Sequence, residues 1–379
     1  MIYLDNAATS WPKPEEVYRT MDDFARRLGA NPGRAGHRMA VEAETVLLET
    51  RNALAKFIGA ESPARVAFAL NATDALNMAI KGVLRPGDHA VTSSLEHNSV
   101  VRPLEGLAKR TGVTVTRVPC GASGVTDPEE VRKALRPNTR LIAFTHASNV
   151  TGALQPVREI GRIARERGVL FLVDAAQTIG VYPVDVKADL IDLLAFPGHK
   201  ALYGPTGTGG LYVREGIAPA FFREGGTGRH SEQETHAEEM PLRLEGGTPN
   251  TVGLAGLGAG LRFINKITRE RIFEHELILA ERFRQGLREN RKITIHGPPE
   301  PQHQLATISF RIEGYEPDEA GAVLDQSFEI ACRTGLHCAP AAHRTMGTLP
   351  AGTVRCSFGY FNTTEHVDAA LKALGEMTA

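Results

Sequence analysis

Val169-Leu170-Phe171-Leu172-Val173-Asp174, preceded by an amphipathic stretch at 156–167 and followed by a second apolar run at 191–195, decides the fold. A short, unbroken run of branched and aromatic side chains reads as a strand buried on both faces, and such strands belong in parallel sheets covered by helices. The alternation extends outward in both directions. Helical periodicity at 41–57, 73–84, 99–111 and 128–135 separates strand-like runs at 65–70, 89–93, 113–118 and 140–145. A last strand of this series is expected at 209–213. Helices of this length between strands imply right-handed crossovers and a mainly parallel sheet, an α/β domain over 15–260. After Gly246-Gly247-Thr248-Pro249-Asn250-Thr251 the pattern changes. One long amphipathic helix over 252–290, strands at 305–312 and 353–358, and helices near 317–328 and 364–376 predict a smaller α+β domain over 261–379, with residues 1–14 packed against it.

Composition narrows the function classes. The 379 residues carry 43 basic and 44 acidic side chains, a formal net charge of −1, so no global field draws the chain to nucleic acid or to an anionic membrane. No apolar run reaches the length of about 18 residues that a membrane span requires, and Met1-Ile2-Tyr3-Leu4-Asp5-Asn6 lacks a basic segment leading into an apolar one. Four cysteines are too few for a disulfide framework. A cytoplasmic protein working on a small molecule is the expectation.

Four motifs stand at the expected carboxyl ends of strands, where ligands of α/β sheets lie. Asn71-Ala72-Thr73 opens a helix, so its first N–H groups and the Thr73 hydroxyl suit a phosphate; the ordinary explanation is a helix cap. His97, in Leu95-Glu96-His97-Asn98, can stack on a flat ring or simply cap. Asp174 is followed by the small residues Ala175-Ala176 and by Gln177. Lys200, in Gly198-His199-Lys200, comes just after the buried run 191–195 and before the glycine-rich turns of 204–210. Alone, a loop lysine is a solvated charge. A buried amine paired with a strand-end carboxylate, however, is what pyridoxal phosphate (PLP) needs: a Schiff-base partner and a counter-ion for its pyridine nitrogen.

Phosphate helix, histidine, aspartate and lysine in that order resemble the class V aminotransferase family of PLP enzymes, and within it the cysteine desulfurases and selenocysteine lyases. The likeness runs from Tyr3-Leu4-Asp5-Asn6-Ala7-Ala8-Thr9 through His146-Ala147-Ser148-Asn149-Val150-Thr151-Gly152 to Arg355-Cys356-Ser357. It implies the PLP-dependent transferase fold, aspartate aminotransferase-like fold type I. It further implies that Lys200 carries the cofactor, Asp174 meets the pyridine nitrogen, Gln177 the ring hydroxyl and His97 the ring face. Ala72, Thr73 and His199 would hold the phosphate, with Thr248 reaching it across a homodimer interface. Pro197 stands where the family often has serine and has neither hydroxyl nor N–H to offer, so phosphate affinity leans harder on Thr73, His199 and the helix terminus.

Arg333-Thr334-Gly335-Leu336-His337-Cys338-Ala339 resembles the Arg-x-Gly-His-His-Cys-Ala loop of group II desulfurases, with Leu336 in place of the first histidine. A cysteine in a turn beside histidine and arginine is in a setting that favours the thiolate. By the resemblance, Cys338 takes sulfur from L-cysteine as a persulfide and leaves L-alanine. Arg355 clamps the substrate carboxylate with help from Asn149, and Arg34 and His37 line the substrate mouth, from either subunit. L-selenocysteine is the alternative substrate; an aminotransferase or lyase that does not use Cys338 is the alternative enzyme. A sulfur-acceptor protein and a role such as iron–sulfur cluster assembly are implied in the same way. Cys120, Cys332 and Cys356 read as small buried apolar residues. A zinc site built from Cys332, His337, Cys338 and His343 fits no common ligand spacing, and a catalytically inert scaffold is at odds with Lys200, Asp174 and Arg355 all being present.

Overall fold

The computed structural model describes residues 1–33, 36–121, 124–228, 232–299 and 304–379. In chain order a short strand β1 (Ile2–Tyr3) leads to α1 (Glu15–Arg27) and α2 (Arg38–Phe57). Then come β2 (Val66–Ala69), α3 (Ala72–Val83), β3 (His89–Ser93), α4 (Asn98–Thr111), β4 (Thr114–Val118), α5 (Pro128–Ala134) and β5 (Thr139–Thr145). They are followed by α6 (Val157–Glu166), β6 (Leu170–Asp174), β7 (Leu193–Pro197) and β8 (Gly209–Val213). The seven strands β2 to β8 form one sheet in the order β2-β8-β7-β6-β5-β3-β4. All neighbours are parallel except at β8, which runs antiparallel to both β2 and β7. No crossover helix separates β7 from β8, so the chain can only turn back on itself there.

Period-two alternation covers both faces of this sheet. Phe171, Val173, Leu194 and Phe196 point into one apolar cluster, while Leu172, Leu193 and Ala195 point into the other. That burial is why strands β6 and β7 read as continuous apolar runs.

The rest of the chain comprises α7 (Thr251–Ile267), α8 (Arg269–Glu289), β9 (Ile293–His296), β10 (Thr307–Ile312), α9 (Pro317–Phe328) and β11 (Ile330–Ala331). It ends with β12 (Arg333–Gly335), α10 (Pro340–Thr345), β13 (Thr353–Ser357) and α11 (Thr364–Met377). An antiparallel sheet β12-β13-β10-β9 packs through Ile308, Phe310 and Val354 onto Leu279, Phe283 and Leu374 of α8 and α11. The N-terminus joins this region: β1 pairs with β11, and Asp5 bridges to Ser357.

The single long helix expected over 252–290 is two. Thr268 breaks it with φ 78° and ψ 140°, and its hydroxyl accepts the N–H of Arg271 as the cap of α8. A threonine gives up little by leaving a helix and gains a cap by doing so. Glycines in α7 let that helix approach the loop that follows β7: a side chain at Gly260 would strike the carbonyl of Leu202. That close approach fixes the loop carrying Lys200.

Candidate active site

A cavity of about 280 Å³ opens at the carboxyl ends of β5, β6 and β7 and the amino end of α3. Lys200, Asp174, His97, His199, Gln177, Ala72, Thr73, Asn149 and Arg355 all line it. Nine of the expected site residues, from six separate stretches of chain, therefore share one space.

Lys200 is partly buried, and desolvation pushes its ammonium down to about 8, partly opposed by the Asp174 carboxylate. Asp174 is pushed up by burial, while the N–H of Ala176, at 2.9 Å from Oδ1, and the charge of Lys200 pull it back. The main chain around Lys200 is pinned by the N-terminal segment: Ser10 Oγ donates to the Lys200 carbonyl at 2.8 Å, and Thr9 Oγ1 to that of His199 at 2.9 Å.

His97 caps α4 through Nδ1, which accepts the N–H of Ser99 at 3.0 Å. That bond leaves the proton of the neutral ring on Nε2. Burial, then the charge of Lys200, holds His97 down to about 4, so the imidazole is uncharged at neutral pH. Ser99 also touches Thr73, Oγ to Oγ1 at 2.7 Å, tying the histidine to the expected phosphate end. There Asn71 caps α3 by accepting the N–H of Asp74 at 2.9 Å. His199 is likewise held to about 4 by burial, and its Nδ1 is a buried atom without a partner. An unsatisfied ring nitrogen, a hydroxyl and a helix N-terminus around one cavity fit a phosphate, and the Lys200 and Asp174 pair fits a pyridoxal ring. Gln177 donates to the Ala7 carbonyl at 3.1 Å.

At the other end Arg355 is fully buried. Its Nη1 donates to the Asn149 carbonyl at 2.8 Å and its Nη2 to Asp5 Oδ1 at 2.6 Å, while Nε has no partner. The Asn149 side chain is not aimed at Arg355: Nδ2 donates to the His337 carbonyl at 2.7 Å and so anchors the cysteine loop. That loop makes a tight left-handed turn, with φ 50° at His337 and 56° at Cys338, and throws the thiol outward. Cys338 is exposed and lies outside the cavity lining, but its Sγ is 3.9 Å from Nη2 of Arg333, which does line it. The expectation that His337 lends positive charge to the thiol is corrected. Burial, then the charge of Arg355, pushes His337 down to about 2, and its ring packs on His343 instead, Nδ1 to Nε2 at 3.2 Å. Arg333 is the cation beside Cys338.

Thr248 and His37 are not brought to this cavity. Thr248 lines a separate surface groove of about 350 Å³, and His37 is exposed, capping α2 through the N–H of Ala40 at 3.3 Å. Arg34 lies outside the described residues.

The model for aminotransferase class-V proteins matches residues 2–370. The chain belongs to the class-V aminotransferase family. A probable cysteine desulfurase of Methanothermobacter thermautotrophicus is 37% identical, the match covering 99% of this chain and 94% of that one. A cysteine desulfurase of Salmonella dublin is 33% identical over 99% of this chain and 92% of its own. Among solved structures, the apo cysteine desulfurase of Thermococcus onnurineus superposes with a TM-score of 0.91 at 34% identity, covering 100% of this chain and 94% of that one. The cysteine desulfurase CsdA of Escherichia coli gives 0.90 at 28%, covering 100% and 95%. The class-V fold expected from the motifs is thus the fold found.

Three contributors to this class-V site were not singled out as site residues in the sequence. Asp5 is 350 positions from the arginine it pairs with. Ser99 passes for an ordinary second helical residue, yet it joins His97 to Thr73. Glu96, buried beneath the site, accepts from Ser93 Oγ at 2.5 Å and the Thr145 N–H at 3.0 Å. Only the neighbour His97 was a candidate from the motif.

Proposed function

We propose that this chain is a PLP-dependent cysteine desulfurase that converts L-cysteine to L-alanine and holds the sulfur as a persulfide on Cys338. The observation that carries the reading is the union, in one cavity, of partly buried Lys200 with Asp174 and of Arg355 with Arg333, the latter in contact with Cys338. Relatives matching nearly the full length bear the name cysteine desulfurase. Bound PLP would supply an electron sink for the substrate's Cα bonds.

Everything else falls to the protein. Arg355 offers the substrate carboxylate a planar fork that lysine lacks, oriented in advance by Asp5 and the Asn149 carbonyl. Lys200, with an ammonium held near 8, gives up its proton readily enough to accept the one from Cα. Neutral His97 presents Nε2–H to the same space. Cys338, as thiolate beside Arg333, attacks the substrate sulfur; the carbon–sulfur bond breaks, the carbon takes a proton, and alanine leaves.

In this reading residues 15–260 hold the cofactor, and 1–14 with 261–379 form the smaller unit that carries the Cys338 loop. A second copy of the chain is part of the proposal: Thr248 lies in a groove with Leu48 and Leu70, both about half exposed, and a partner seated there would find it. The cysteines are all free, which suits the reducing cytoplasm. No helix among the described residues is long and apolar enough to cross a membrane.

Replacing Cys338→Ser tests the reading. Sulfide and alanine formation from L-cysteine should cease while the cofactor's yellow colour is retained; full turnover in that variant refutes it. Running L-selenocysteine in parallel assigns the preferred chalcogen.

A further inference from the structure

Lys200, Gln177 and Ala7 also line a second and much smaller cavity of about 40 Å³. Lys200, Gln177, Ser10 and Tyr203 form one part of its wall, and Glu276 of α8 forms another. Apolar neighbours Val181, Leu305 and Phe358 close it. Glu276 is 7% exposed, and among the described residues its carboxyl has neither a hydrogen-bond nor an ion-pair partner. Its oxygens are nonetheless not sealed in protein, since neither is among the fully buried polar atoms left unsatisfied, and the residue lines the cavity.

An acid placed in such surroundings is costly unless it is neutral or serves a purpose. Burial raises Glu276 to about 8, so it is a carboxylic acid at neutral pH. The cavity is large enough for one to a few water molecules by the usual measure of about 10–15 Å³ each. Its polar walls, Ser10, Gln177, Tyr203, Lys200 and Glu276, supply the partners such waters require.

We propose that Glu276 is a positioning residue that exchanges a proton with Lys200 through water held in this cavity. This rests on the reading of Lys200 as the cofactor lysine. The site needs such a group, because Lys200 must change its protonation in each turnover while its other polar neighbours are committed. Asp174 is assigned to the ring nitrogen, and His97 is uncharged. When Lys200 carries the proton, Glu276 gives up its own and balances the buried charge; when Lys200 releases it, Glu276 is neutral again. The net charge of the pair then changes less than that of either group alone, which spares the interior an uncompensated ion. The titratable groups around the cavity are Lys200 and Tyr203 from the loop after β7, which share its wall with Glu276, Lys13, whose ammonium donates to the wall hydroxyl of Ser10 at 2.8 Å, Tyr360 beside Tyr203, and His275 next to Glu276 on α8. Tyr203 is pushed well up by burial and by Glu276, and so stays protonated; His275 is occupied with the Asn362 carbonyl at 3.0 Å.

The test reads Glu276 itself. Infrared spectroscopy of the full chain, cofactor-free and with isotope-labelled glutamate, would follow the protonated-carboxyl band against pH, with Glu276→Gln used to assign it. Replacing Lys200→Met removes the facing cation, so the midpoint of that band should rise by about half a pH unit or more. An unchanged midpoint overturns the proposal. In the holoenzyme, Glu276→Gln should lower kcat about tenfold with KM little changed. It should also shift the pH midpoint of the cofactor's visible absorbance, an effect a purely structural role would not produce. Wild-type kcat and an unshifted absorbance midpoint would also overturn it. If Cys338→Ser keeps full turnover while the infrared coupling holds, the desulfurase reading fails and the Lys200–Glu276 coupling stands.

Discussion

Asp5→Ala isolates the pair on which the substrate end of the cavity is built. Arg355 is 1% exposed and Asp5 20%, with Nη2 and Oδ1 2.6 Å apart. Two unit charges whose centres are about 4 Å apart attract by about 4 kcal/mol at the effective dielectric of a partly buried site. Removing one partner of a buried pair costs about 3–5 kcal/mol, because the other charge is left in a poor solvent. Two features place the cost at the low end: water reaches Asp5, and the Asn149 carbonyl still accepts from Nη1 at 2.8 Å. The expected loss is therefore about 3 kcal/mol, read as a lower urea midpoint of unfolding. The double variant Asp5→Ala with Arg355→Met should be more stable than Asp5→Ala alone, since it leaves no orphaned cation. A single variant within about 0.5 kcal/mol of wild type, or a double variant no better than the single, would refute the pairing argument.

Lys200→Ala should lose the borohydride-reducible lysine adduct, checked by mass spectrometry of the peptide; a persistent adduct at another lysine would move the anchor. Glu96 is pushed up to about 8 by burial, so the folded protein holds a proton that the unfolded chain has released by about pH 5. Its contribution to stability is present below the ordinary glutamate range and lost as pH rises through about 8, and urea midpoints should fall over that interval. Thr268→Gly should stabilise the protein by up to about 1 kcal/mol in thermal or urea unfolding, because glycine relieves a backbone conformation that threonine tolerates poorly, less the lost cap.

Much of this molecule could be read without coordinates. The parallel core of the large sheet followed from apolar runs and helical periods, and nine site residues were legible as strand-end or loop motifs. Other features were not. The reversal of β8, the break at Thr268 and the neutral state of His337 depend on what each segment packs against. Asp5 with Arg355 and Ser99 with Thr73 join residues tens to hundreds of positions apart, and no periodicity records such pairs. By itself the sequence determined the strand and helix pattern and the chemical groups on offer, because both are written in neighbouring residues. Only the tertiary structure decided which groups are dry, which charges face one another and which cavity they share, since desolvation and Coulomb forces act through space and not along the chain.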